Sequence, residues 1–156
     1  GHVAAHRVEH CLRAAGKIRA WGVSNVPVAQ MEDLSRIPHG DRWATNPVYY
    51  HLGGRGKERE LLPWCGRHGM PVMAYSPLGG LGTSLLTDPI LGRIAAAHTC
   101  SAAAIALAWN IRSGNVIAIP EAGSAAHGKE NAGALSLTRT TQELKKQDTA
   151  NPQYSR

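Results

Sequence analysis

GKIRAWGVSN, from Gly16 to Asn25, decides how the rest of the chain reads. Ile18 to Ser24 is a short apolar run closed by Asn25 and Pro27, which suits a strand buried on both faces of a parallel sheet. Upstream, Val8, Cys11 and Leu12 fall at helical spacing, and Gly16 ends that run as a C-terminal stop would, so a first helix ends near Ala15. Downstream, Pro27 opens a helix through about Arg36.

The same alternation continues. Trp43 to Tyr49 reads as a second strand, and Lys57 to His68 as a helix with Leu61, Leu62, Trp64 and Cys65 on its apolar face and a kink expected at Pro63. Gly69 stops that helix, and Pro71 to Tyr75 is a third strand followed by the loop SPLGGLG. Asp88 to Ala97 and Ser101 to Ile111 are two helices, the second capped by Ser101. Val116 to Ile119 gives a fourth strand, Ser124 caps a helix through about Leu135, and Thr140 to Gln147 is a last polar helix before a loose tail over 149–156.

Strands alternating with helices of about a dozen residues predict an α/β protein with a parallel sheet. The 156 residues make one domain, with 43% hydrophobic content to build its core. A closed eight-stranded barrel takes about 250 residues. Four strands therefore imply either a small open sheet or half a barrel.

No window approaches the roughly 18 unbroken apolar residues of a membrane span, and the amino terminus has no signal pattern, so no membrane partner and a cytoplasmic location are expected. Cys11, Cys65 and Cys100 are odd in number and far apart, which argues for reduced thiols. The formal charge of +6 would suit an anionic partner, yet the basic residues are scattered and not interleaved with aromatics, so no nucleic-acid partner is expected. A phosphate-bearing cofactor fits the charge at least as well.

Taken alone, the polar strand ends have two readings. Ser24 and Asn25 either face a pocket or cap the turn before Pro27. Tyr75, taken alone, is a core tyrosine. The loop Ser76, Pro77, Leu78 and Gly80, taken alone, is a glycine-rich turn.

Four blocks in order, GKIRAWGVSN, ATNPVYYHL, PVMAYSPLGGLG and AIPEAGSAAHGKENAGAL, resemble the carboxy-terminal half of the aldo-keto reductase family. The resemblance is closest to its bacterial methylglyoxal-reductase-like members. It implies a partial (β/α)8 TIM barrel, the C-terminal half with about four parallel strands and surrounding helices, forming a single truncated domain over 1–156. It further implies a groove for NADP or NAD at the strand ends and carbonyl reduction by hydride from the nicotinamide. The Asp, Tyr, Lys and His that act in such enzymes lie upstream of the matched segment, and none has a counterpart here. No catalytic residue is therefore assigned, and a carbonyl substrate is expected only with a completing N-terminal half.

The same resemblance puts Ser24, Asn25 and Asn46 at the nicotinamide carboxamide, Tyr75 on its ring, and Ser76, Pro77, Leu78 and Gly80 at the pyrophosphate. Pro47 stands where the family usually has a carboxamide-binding Gln. Glu121, His127, Glu130 and Asn131 fall at the adenosine end. Glu121 replaces a lysine that meets the 2'-phosphate; a carboxylate repels that phosphate but can bond a free ribose hydroxyl, so NAD is favoured over NADP. Lys129 is a further cation nearby. An interaction or nucleotide-sensing module that binds NAD(P) without catalysis is the alternative, and a homodimer would cover the open barrel edge.

One rival motif stands apart. His6, Glu9 and His10 spell H-x-x-E-H, an inverted zinc-protease pattern, against a solvated helix face. No metal is assigned. Cys65 and His68 share a helix without a third orienting group, which reads as a packed thiol and a surface imidazole.

Overall fold

The computed structural model describes residues 9–80 and 83–137. Helix α1 covers 9–14 and ends where expected: Gly16 adopts φ +67°, its N–H donates to the Arg13 carbonyl, and the Lys17 N–H donates to the Leu12 carbonyl. That is the paired closure of a glycine-terminated helix. The remaining helices are α2 (Val28–Ser35), α3 (Leu61–Arg67), α4 (Pro89–Ala97), α5 (Ala102–Asn110) and α6 (Ala125–Gly133), and the strands are β1 (Asn46–Tyr49), β2 (Val72–Tyr75) and β3 (Val116–Ile119). The sheet is wholly parallel in the order β1-β2-β3.

The first expected strand is reduced. Trp21 makes a single parallel bridge to Trp43, the Ala44 N–H donates to the Trp21 carbonyl, and the N–H groups of Val23 and Asn25 donate to Thr45 and Pro47. These bonds shift register by one residue between Trp21 and Val23, so no continuous ladder forms. The segment still lies against β1 as a fourth parallel stretch. Gly22 permits this: a Cβ there would sit 2.7 Å from the Thr45 carbonyl oxygen.

The helix expected from Lys57 to His68 is divided into a 3-10 turn at Gly56–Glu58 and α3. Proline explains the break. Pro63 would clash with the turn before it inside a longer helix, whereas in the first turn of α3 its missing N–H has no partner to lose. Elsewhere the two serine caps hold as read, and Asp88 adds a cap that was not. Asp88 accepts from the N–H groups of Ile90 and Leu91, Ser101 from Ala104, and Ser124 from His127. α6 ends at Gly133 and runs on to Ser136 as a 3-10 turn, while the expected helix Thr140 to Gln147 and the 149–156 tail lie outside the described residues.

Period-two alternation divides the sheet into two faces. Val48, Val72, Ala74 and Val116 point into one core with Met31, Trp64, Leu91, Ile105 and Trp109. α5 is apolar all round and buried from Ala104 to Asn110, packed against both α4 and α6. The opposite face carries two registered rows, Pro47–Met73–Ile117 and Tyr49–Tyr75–Ile119, and no helix covers it among the described residues.

Candidate functional site

The polar strand ends meet at the C-terminal edge of the sheet. The Tyr75 hydroxyl donates to Asn25 Oδ1 at 3.1 Å, and Asn25 Nδ2 donates to Ser24 Oγ at 3.3 Å. Ser24 Oγ and the Asn25 N–H both donate to the Pro47 carbonyl, at 3.5 and 2.9 Å. Pro47 therefore serves this cluster through its backbone, with no side-chain amide to offer. Asn25 holds φ +56° and Ser76 holds φ +47°. Left-handed backbone at non-glycine residues costs of order 1–3 kcal/mol each and tends to mark functional turns. These two flank the Tyr75–Asn25 contact.

Asn46 is not on that edge. It is fully buried, its Oδ1 accepting from the Val26 N–H at 3.3 Å and its Nδ2 donating to the Val26 carbonyl at 2.8 Å. Both ends of the amide hold the turn that carries Ser24 and Asn25, instead of reaching a ligand.

Beyond Tyr75 the loop turns back through Gly79, at φ +86°, where a Cβ would lie 2.4 Å from Thr83 Cγ2. Only glycine fits there. Pro77 is buried, Leu78 packs beneath the loop against both apolar clusters, and the Gly80 N–H donates to the Tyr49 hydroxyl at 3.3 Å. Tyr49 was not among the residues that the sequence singled out. Its signal is the alternation in NPVYY, which shares a face with Tyr75 only once the register is known.

The other group follows β3. Glu121 lies exposed two residues past the strand end, and His127, Glu130 and Asn131 lie on α6. Asn131 lines an apolar cleft of about 500 Å³ with Leu107, Val116, Pro120 and Leu135. Lys129 and Glu130 line a second, of about 390 Å³, with Cys100 and Ser101. The structure thus separates Asn131 from Lys129 and Glu130 across α6. The larger cleft is apolar and carries no hydrogen-bonding constellation, so the polar cluster at the sheet edge is the better candidate for chemistry.

The donor set fits a dinucleotide at one end and not wholly at the other. Ser24 and Asn25 supply the donors and acceptors a carboxamide needs, Tyr75 supplies a flat ring, and Gly79 allows backbone to approach closely. Glu121 is an exposed carboxylate and would repel a phosphate placed beside it.

The rival sites resolve differently. Of the zinc-protease pattern, His6 lies outside the described residues, Glu9 and His10 lie on α1, and His10 stacks on His39 at 4.5 Å. No cluster of three metal-ligating side chains occurs among the described residues. His68 stacks on Trp64 at 3.8 Å and its Nδ1 bonds the Trp64 carbonyl, while burial pushes the Cys65 thiol up to about 11. They do not form a nucleophile pair.

The aldo/keto reductase family model matches residues 8–152. The chain is 49% identical over 144 residues to methylglyoxal reductase YeaE of Escherichia coli, covering 90% of this chain and 51% of that protein. It is 32% identical to the oxidoreductase YtbE of Bacillus subtilis, covering 94% and 50%. An aldo/keto reductase from Klebsiella pneumoniae, solved in complex with NADP and acetate, superposes with a TM-score of 0.91 at 42% identity, over 96% of this chain and 54% of that one. The chain thus spans about half the length of the relatives it matches, and its sheet and helices correspond to part of a (β/α)8 barrel. It belongs to the aldo/keto reductase family.

Proposed function

We propose that this chain carries the nicotinamide-cofactor groove of a carbonyl-reducing oxidoreductase, and that taken alone it binds the dinucleotide without reducing an aldehyde or ketone. The observation that carries this reading is the Ser24–Asn25–Tyr75 hydrogen-bonded cluster, in a chain 42% identical to a reductase solved with NADP. When bound, the nicotinamide would supply hydride to a carbonyl carbon. The chain's own part is to hold the carboxamide with Ser24 and Asn25, to keep the ring flat on Tyr75 and to take the phosphates on the loop after it. No residue at this edge is assigned as a general acid for the carbonyl oxygen. The three free cysteines go with a cytoplasmic location.

The adenosine end is read from charge. Glu121 is exposed beside the α6 N-terminus, and a carboxylate there favours a ribose hydroxyl over a phosphate, so NADH is taken in preference to NADPH. The Klebsiella pneumoniae structures hold NADP and NADPH, so this preference departs from them and rests on Glu121 alone.

Isothermal titration of the whole chain with NADH and NADPH tests both parts. NADH should bind more tightly, and Glu121→Lys should move the ratio towards NADPH by about tenfold or more, as charge-assisted hydrogen bonds of ~1.5–3 kcal/mol allow. Tighter NADPH binding by the unaltered chain rejects the preference; uptake of neither rejects the groove. Turnover of methylglyoxal with either cofactor would reject the claim that the chain alone does not reduce carbonyls.

A further inference from the structure

We propose that Tyr49 is a positioning residue of this groove, tying the phosphate-binding loop to the strand edge that carries Tyr75; the proposal rests on the groove reading above. Tyr49 ends β1 on the uncovered face of the sheet, 40% exposed and in register with Tyr75. The two rings lie 5.8 Å apart, tilted by 49°. Behind Tyr49, His51 meets its ring edge-on at 4.7 Å, and His51 is itself buried. Gly54 closes the back of this stack: a Cβ there would sit 2.7 Å from His51 Nε2. The ring is therefore held from behind.

The hydroxyl separates this role from ordinary aromatic packing, for which phenylalanine would serve. Tyr49 Oη accepts the Gly80 N–H at 3.3 Å, fixing the direction of an amide in the loop assigned to the phosphates. Gly54, His51, Tyr49 and Gly80 make one chain of contacts from the end of β1 to the loop after β2. Through it, one side chain sets the distance between the ring-stacking and phosphate-binding parts of the groove.

Tyr49→Phe and Tyr49→Leu in the whole chain, with NADH and NADPH titrated by nicotinamide fluorescence and amide hydrogen exchange read at Gly80 and Val72, test the proposal. Removing the hydroxyl should weaken both cofactors about three- to tenfold, the range of one hydrogen bond. It should also speed exchange at Gly80 without cofactor, while Val72 in the sheet is unchanged. Leucine should add a change in the fluorescence of the bound nicotinamide, because the neighbour of Tyr75 is gone. Unaltered affinity in Tyr49→Phe, or exchange rising equally at Val72, overturns the role. An unaltered chain that binds neither cofactor overturns the groove reading and this role with it; affinity lost in Tyr49→Phe with exchange raised at Gly80 alone supports both.

Discussion

Asn46 shows how a single buried amide can act on the site without touching a ligand. Its two bonds to Val26 satisfy a backbone N–H and a carbonyl at the turn where Asn25 is held in left-handed geometry. Buried polar groups deprived of partners cost ~1–3 kcal/mol each. Asn46→Ala should therefore lower stability by about 2–4 kcal/mol, read from urea denaturation midpoints, and release the Ser24–Asn25 turn. Cofactor affinity should fall with it even though the side chain faces away from the groove. The residue was visible in the sequence as a polar position in an apolar strand, but its orientation was not: alternation places a side chain on one of two faces, and only pairing says which face is the buried one.

Between elements, a charged cluster joins the end of β1, the 3-10 turn and the end of α5. Glu58 accepts from Arg55 at 2.8 and 3.1 Å, from the Tyr50 hydroxyl at 2.7 Å and from Arg112, while both guanidiniums lie over the Trp109 ring. Burial alone would push the Glu58 carboxyl up, but the hydrogen bonds from Arg55, Tyr50 and Arg112, with the Arg112 charge, outweigh it and hold it below the usual value. His51 next to Tyr50 moves down as well, because burial penalises its cation. Both depressed groups stabilise the fold above their ordinary values of 6.5 and 4.5 and lose that stabilisation as pH falls. Thermal midpoints should thus decline from about pH 6.5 downward and further through the carboxylate range, the second decline being absent in Glu58→Ala. That variant should cost a few kcal/mol at neutral pH, since it removes the carboxylate that both guanidiniums and the Tyr50 hydroxyl share. This cluster was not legible beforehand, because nothing in the spacing of Arg55, Glu58 and Arg112 shows that the chain folds them around Trp109. By contrast, helix ends were legible where a serine or glycine makes the cap locally, as at Gly16, Ser101 and Ser124. The strand at Ile18 to Ser24 and the helix at Lys57 were misjudged where a neighbouring segment or a proline decides the geometry.

At the scale of the whole molecule, the sheet is covered on one face and open on the other. Ile117 is 47% exposed and Ile119 43%, beside Tyr49 and Tyr75, and β3 has no hydrogen-bonded neighbour on its outer side among the described strands. In relatives of twice the length this part of the fold belongs to a closed barrel. An open strand edge beside the exposed Ile117 and Ile119 is normally covered, and a second copy of the chain offers the same edge and the same two isoleucines. In a two-fold pairing each residue on the face meets its counterpart set, so one substitution alters both sides of the interface. Light scattering at micromolar concentration should therefore give the mass of a dimer for the unaltered chain. Ile119→Lys should give a monomer, because two lysines brought into an apolar interface would be desolvated without partners. Its thermal midpoint should lose the concentration dependence that a dimer shows. A monomeric, well-folded unaltered chain rejects the pairing and leaves the open face to a different partner.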